Sequence, residues 1–133
     1  GLEALSTGYM LIEAGNTTSA EFMSNTKPIP RDKPDIALAH ALAAELIGMK
    51  LVYLDAGSGA RESVSDDMLR TIAQRCSLPI IVGGGIRTPE DARKKVEAGA
   101  SFVVTGTITE LNNHRSFIRE FAEAVHTGPA VKR

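Results

Sequence analysis

At 133 residues, with 15 basic and 16 acidic side chains and a formal charge of -1, the chain is long enough to bury a core. The even charge balance and the absence of a basic stripe interleaved with aromatics exclude nucleic acid as a natural partner. No apolar run approaches the roughly 18 residues of a membrane span, and the segment from Gly1 to Ser6 lacks the regions of a signal peptide, so a soluble protein with no transmembrane segment is expected. The lone Cys76 can close no internal disulfide, which fits a reducing cytoplasm, and it sits on the apolar stripe of a predicted helix, where core packing is its expected role.

The first apolar run, Tyr9-Met10-Leu11-Ile12, reads as a strand. Asn16 to Lys33 follows, with Thr17-Thr18, Lys27-Pro28 and Ile29-Pro30; it is too polar and proline-punctuated for a helix and reads as a long ordered loop. A helix is predicted from Pro34 through Ile36, Ala39, Ala43 and Leu46 to Gly48, a plausible C-cap. The second strand is Leu51-Val52-Tyr53-Leu54. Ser65 then caps a helix whose Met68, Leu69, Ile72, Ala73 and Cys76 share one face. Pro79-Ile80-Ile81-Val82 is the third strand, and Thr88-Pro89-Glu90-Asp91 opens a third helix with a hydroxyl cap, a proline and two acids at the positive end of the dipole, closed by Gly99. Phe102-Val103-Val104 is the fourth strand, and the last helix carries Leu111, Ile118, Phe121, Ala122 and Val125.

Each strand is near-continuously apolar, the pattern of parallel strands covered on both faces, and the order β-α-β-α-β-α-β-α makes either an open doubly wound sheet or a barrel. No Gly- and Ser-rich linker divides the chain, so a single domain over 1–133 is expected.

In parallel α/β proteins the chemistry lies where strands end and turn toward helices. Those ends read Glu13-Ala14-Gly15-Asn16, Asp55-Ala56-Gly57-Ser58-Gly59, Gly83-Gly84-Gly85-Ile86 and Thr105-Gly106-Thr107. Glycines there let the backbone approach a ligand, and amides near helix N-termini favour an anion; phosphate is the natural ligand, although tight turns alone also use glycine. Tyr53 and Asp55 alternate along one strand and point to the same side. Asp55 is placed either to accept a proton from, or orient, a substrate hydroxyl, or else to pair with a cation or cap the turn. Glu13 holds the analogous place on the first strand. Arg87 either helps hold an anion or pairs with Glu90 or Asp91. His40, His114 and His126 lack metal-ligand spacing, and no metal site is assigned within the chain.

Tyr53-Leu54-Asp55-Ala56-Gly57-Ser58-Gly59-Ala60, Val82-Gly83-Gly84-Gly85-Ile86-Arg87 and Val103-Val104-Thr105-Gly106, in this order, resemble three consecutive signatures of the geranylgeranylglyceryl phosphate synthases and their heptaprenyl relatives. Tyr9-Met10-Leu11-Ile12 and Ser24-Asn25-Thr26-Lys27-Pro28-Ile29-Pro30 are similar to the same family. The resemblance implies the C-terminal half of a phosphate-binding TIM (βα)8 barrel and transfer of a prenyl group from a polyprenyl diphosphate to the hydroxyl of sn-glycerol 1-phosphate, with Mg2+ on the diphosphate. It implies that Tyr53 and Asp55 contact the glycerol hydroxyls, Asp55 as base or orienting group, and that Gly57, Ser58, Gly59, Gly83, Gly84, Gly85, Gly106 and Thr107 cradle the phosphate. The chain departs from the family where Asp55 stands for the common Glu and Thr107 for the common Asn. In the family the Mg2+-binding acid and much of the prenyl groove come from the first half of the barrel, so this chain is expected to hold half a site and to self-associate through its open face. A catalytically silent phosphate-binding module and another phosphate-binding barrel, such as a histidine- or thiamine-pathway enzyme, are the competing readings.

Overall fold

The computed structural model describes residues 1–106, 108 and 115–126. The elements are β1 (Thr7–Leu11), α1 (Ser19–Ser24), α2 (Pro34–Leu46), β2 (Leu51–Asp55), α3 (Asp66–Ala73), β3 (Ile80–Gly83), α4 (Pro89–Glu97), β4 (Phe102–Val104) and α5 (Arg115–His126). The strands form one sheet in the order β1-β2-β3-β4, every pair parallel. This consecutive order, with a helical crossover between neighbours, builds a (βα)4 unit of the barrel type rather than an open sheet whose order reverses.

Register fixes what each face carries. Met10, Leu54, Val82 and Val103 lie in one row and pack with Ala37, Ala41, Met68, Leu69, Ile72 and Ala92 of the helices. The adjacent rows, Tyr9-Tyr53-Ile81-Phe102 and Leu11-Asp55-Gly83-Val104, therefore face the other way. That second face has no helical cover among the described residues: Tyr9 and Phe102 are each 53% exposed and Val104 44%. The expectation of strands covered on both faces thus holds for one face only.

Two helical faces differ from their reading in the sequence. In α2 the buried residues are Ala37, Leu38, Ala41 and Ala44, while Ile36, Leu46 and Ile47 are exposed. The helix is apolar on nearly every side, so spacing alone does not select a face. Close approach does: a Cβ at Gly8 would sit 2.8 Å from that of Ala44, a contact only small residues allow. In α5 the inward residues are Phe117 and Phe121, stacked edge to face at 5.0 Å, with Val125, whereas Ile118 is half exposed. Leu111 lies outside the described residues.

The long segment from Asn16 to Lys33 is ordered but contains α1, against the expectation of a loop throughout. Thr18 caps the helix by accepting from the amide of Glu21, Asn25 ends it in the left-handed conformation, and none of its six residues is buried. A good cap suffices for a turn and a half of helix even where the apolar pattern is missing. Beyond it Ile29 returns to β1, donating to the Leu11 carbonyl and accepting from the Glu13 amide.

The predicted caps of α3 and α4 are both formed. Ser65 accepts from the Met68 amide, and Thr88 and Asp91 bond reciprocally, side chain to backbone. Cys76 is buried two residues beyond the C-cap of α3, its thiol pushed up in pKa chiefly by burial. Lys95 of α4 is buried too. Its Nζ donates at 2.6 Å both to the Val64 carbonyl and to Asp66 Oδ1, tying α4 to the start of α3. Lys95→Met is expected to cost about 2 kcal/mol, less than a fully buried pair because Asp66 is partly solvated, and to lower Tm by roughly 5–10 °C. An unchanged melting curve would show that the pair contributes nothing net.

Candidate phosphate-binding and hydroxyl-orienting site

At the C-terminal ends of β2, β3 and β4 the chain encloses a cleft of about 330 Å³. Tyr53, Asp55, Ser58, Gly59, Gly84, Gly85, Arg87 and Gly106 line it. Gly57 and Gly83 are not among its lining residues but touch them, Gly57 through Gly84 and Gly83 through the Tyr53 hydroxyl. Thr107 falls outside the described residues, so its expected role is neither met nor missed. Of the four strand ends that the sequence marks for chemistry, three converge here, while Glu13 lines a different hollow beside α1 and accepts from the Arg31 amide.

The loops meet through backbone. Gly84 has φ +82°, and a Cβ there would lie 2.6 Å from the Gly57 nitrogen and 2.7 Å from its oxygen. A left-handed backbone and a contact of main chain on main chain both require glycine. The amides of Ser58, Gly59 and Gly85 find no acceptor among the described residues. Three such donors around one cleft, with the Arg87 guanidinium at its rim, make a surface for an anion.

Asp55 is held from two sides. Its Oδ1 accepts from the Gly57 amide at 2.8 Å, and its Oδ2 accepts from the Tyr9 hydroxyl at 2.7 Å. The turn-capping role left open in the sequence is therefore real. No cation is among its described partners, and a carboxylate has lone pairs for further donors beyond these two. Tyr53 stands beside it in the same strand, and its hydroxyl lies over Gly83, where a Cβ would come within 2.6 Å. Arg87 makes neither of the ion pairs considered for it. Glu90 pairs with Arg93, Asp91 completes the helix cap, and Arg87 instead donates to the carbonyls of Ala60 and Arg61.

Tyr9 is the site residue that the sequence reading missed. Its ring meets that of Tyr53 edge to face, centroids 5.4 Å apart, and its hydroxyl is the donor to Asp55. The usable signal was phase: Tyr9 pairs with Tyr53 in register and so points to the same side. Burial and then the hydrogen bond and charge of Asp55 push the Tyr9 phenol far above its ordinary value; burial and the same charge raise Tyr53. Both stay neutral donors at working pH. The chain has two tyrosines, so its phenolate absorbance reports on this site alone. Titration of the folded chain is expected to show both ionising above the ordinary value of about 10, with the stability they confer complete below that pH and lost as the pH rises past it. Asp55→Asn should bring the Tyr9 transition down, and no difference between the two proteins would contradict the contact.

His40 bonds within α2 to the Ile36 carbonyl, His126 ends α5, and His114 lies outside the described residues. No three His, Cys, Asp or Glu side chains gather as a metal cluster among the described residues.

A consecutive parallel sheet with helices on one face, glycine loops meeting at the strand ends and a carboxylate beside open amides defines an α/β barrel-type unit with a candidate anion site at its strand ends. Comparison with known proteins gives the family: residues 1–125 match the model of the PcrB family, and the chain belongs to it. It is 49% identical over 131 residues to a geranylgeranylglyceryl phosphate synthase of Chitinophaga pinensis, covering 98% of this chain and 51% of that protein. It is 48% identical to one of Korarchaeum cryptofilum, covering 94% and 52%. Among solved structures, the (S)-3-O-geranylgeranylglyceryl phosphate synthase of Thermoplasma acidophilum in complex with its substrate sn-glycerol-1-phosphate superposes with a TM-score of 0.87 at 38% identity, over 93% of this chain and 50% of that one. The resemblance carried by the three motifs thus holds along nearly the whole chain, and the chain spans about half the length of the curated relatives it matches.

Proposed function

We propose that the chain supplies the glycerol-phosphate half of a prenyltransferase site, as the C-terminal half of a (βα)8 barrel, and that the complete site transfers a polyprenyl group to the hydroxyl of sn-glycerol 1-phosphate. The observation that carries this reading is the Asp55 carboxylate, fixed by Tyr9 and Gly57 and set beside open amides of the glycine loops. A generic phosphate loop needs no such acid. Phosphate on the amides of Ser58, Gly59 and Gly85 leaves the glycerol hydroxyls directed at Tyr53 and Asp55. The hydroxyl oxygen then attacks the first carbon of the prenyl diphosphate, the carbon–oxygen bond to diphosphate breaks, and Asp55 orients the hydroxyl and takes up its proton. Positioning is the larger contribution, since a well-oriented nucleophile can account for about 7–11 kcal/mol of a barrier.

Mg2+ belongs to the diphosphate in this reading, where it would neutralise leaving-group charge. The described residues do not form a cradle for it, since they gather no cluster of acids or histidines. The open face with Tyr9, Phe102 and Val104 calls for a cover, the other half of the barrel or, without it, a further copy of the chain. No described helix is long and apolar enough to cross a membrane, and the reading places the enzyme in the cytoplasm.

The test is complementation. The chain, mixed with the N-terminal half of a curated relative, geranylgeranyl diphosphate, Mg2+ and sn-glycerol 1-phosphate, is expected to form the prenyl ether. Binding of glycerol phosphate with no ether formed by the assembled halves would instead support a silent binding module.

A further inference from the structure

We propose that Arg87 is a positioning residue, which clamps the loop after β2 onto the glycine loop after β3 so that the two sides of the phosphate cradle move as one body. This rests on the phosphate-binding reading above but assigns Arg87 a role other than binding the anion.

The guanidinium follows Gly83-Gly84-Gly85 by one residue and reaches across the cleft. Its Nη2 donates at 2.8 Å to the Ala60 carbonyl and its Nη1 at 3.3 Å to that of Arg61. Two successive carbonyls held by one planar fork fix the orientation of a peptide, which a single ammonium cannot do. The peptides seized are those directly after Ser58 and Gly59. Beneath the clamp the loops already touch: a Cβ on Gly84 would meet the Gly57 backbone, and one on Gly85 would meet Ser63 and Glu62 at 2.8–2.9 Å. From the other side the Arg61 amide donates to Asn16 Oδ1 and to the Ala14 carbonyl, and the Glu62 amide also donates to Ala14. The loop is thus gripped on its carbonyls by Arg87 and on its amides by Ala14 and Asn16 of the segment after β1. Of the residues of this loop that line the cleft, Ser58 and Gly59 have amides with no acceptor among the described residues. Preorganised donors bind an anion without the cost of ordering them at the moment of binding.

Clamp and charge contact differ in what lysine does. If Arg87 acts through its charge, Arg87→Lys retains affinity and Arg87→Ala loses it. If it acts as a clamp, both variants fail alike. The experiment measures calorimetric affinity for sn-glycerol 1-phosphate and for inorganic phosphate, together with amide hydrogen exchange at Arg61 and Glu62, in the wild-type chain and both variants. Losing two charge-assisted bonds predicts a roughly tenfold weaker affinity in both variants and exchange at those two amides about tenfold faster, with exchange in α3 unchanged. Wild-type affinity in Arg87→Lys, or unaltered exchange in both variants, overturns the proposal. Faster exchange in both variants with no phosphate binding by the wild type leaves the clamp standing and removes the glycerol-phosphate reading instead.

Discussion

Asp55→Asn is expected to reduce prenyl transfer by the assembled halves by about 10²–10⁴-fold while moving Tm by only a few degrees. Asparagine has the same shape, and the Gly57 amide requires an acceptor at the position of Oδ1, so the amide oxygen stays there. The NH2 group then stands where Oδ2 accepted from Tyr9. It presents donors to Tyr9, whose hydroxyl can rotate to accept, and to the substrate hydroxyl, which loses its proton acceptor. The loss therefore falls on kcat more than on KM. Asp55→Glu makes the opposite test. It restores the residue common in the resembled family, with one more methylene of reach, and is expected to keep activity within about tenfold of the wild type. Equal rates for the wild type and the Asp55→Asn variant would leave the carboxylate as a turn cap alone.

Gly84→Ala is expected to be among the most damaging single methyl additions in the chain, costing about 3 kcal/mol and roughly 10 °C of Tm. Two effects add. The residue sits at φ +82°, where a side chain is strained, and its Cβ would press on the Gly57 nitrogen and oxygen and the Ala56 carbonyl carbon at 2.6–2.9 Å. All three are backbone atoms of a braced loop and cannot step aside. Gly83→Ala supplies the contrast. Its Cβ would meet the hydroxyl end of Tyr53, a side chain that can swing away. That variant should melt within a few degrees of the wild type yet bind glycerol phosphate more weakly, because Tyr53 is displaced from Asp55. Calorimetric melting of the two variants checks the difference, and equal Tm values would contradict the packing described.

Much of the scaffold is legible in the sequence because its determinants are local. Leu51 to Leu54 reads as a strand from four consecutive apolar residues, and Thr88-Pro89-Glu90-Asp91 carries every part of a helix start within one turn. What escapes depends on partners distant in sequence. The face of α2 is chosen by Gly8 and Ala44 fitting together, not by its own apolar spacing. Helix α1 exists by virtue of a cap and buries nothing, so no periodicity announces it. The same division runs through the site. The glycine loops and Asp55 stand out as strand-end motifs, whereas Tyr9 lies 46 residues from the carboxylate it serves and is hidden within an apolar run. Arg87 is recognisable as a cation at the loop but not as a ligand of carbonyls, since the peptides it holds are 26 and 27 residues away.

In the proposed function these loops form a site for glycerol phosphate rather than for phosphate in general. Calorimetric titration of the chain with sn-glycerol 1-phosphate, its 3-phosphate enantiomer and inorganic phosphate, repeated with Asp55→Ala and accompanied by circular dichroism, tests it most directly. Preference for the 1-phosphate that disappears in Asp55→Ala is the predicted result, because the carboxylate and Tyr53 are the groups assigned to the glycerol hydroxyls. Equal affinity for all three ligands by a folded chain would contradict it and reduce the cleft to a generic phosphate site.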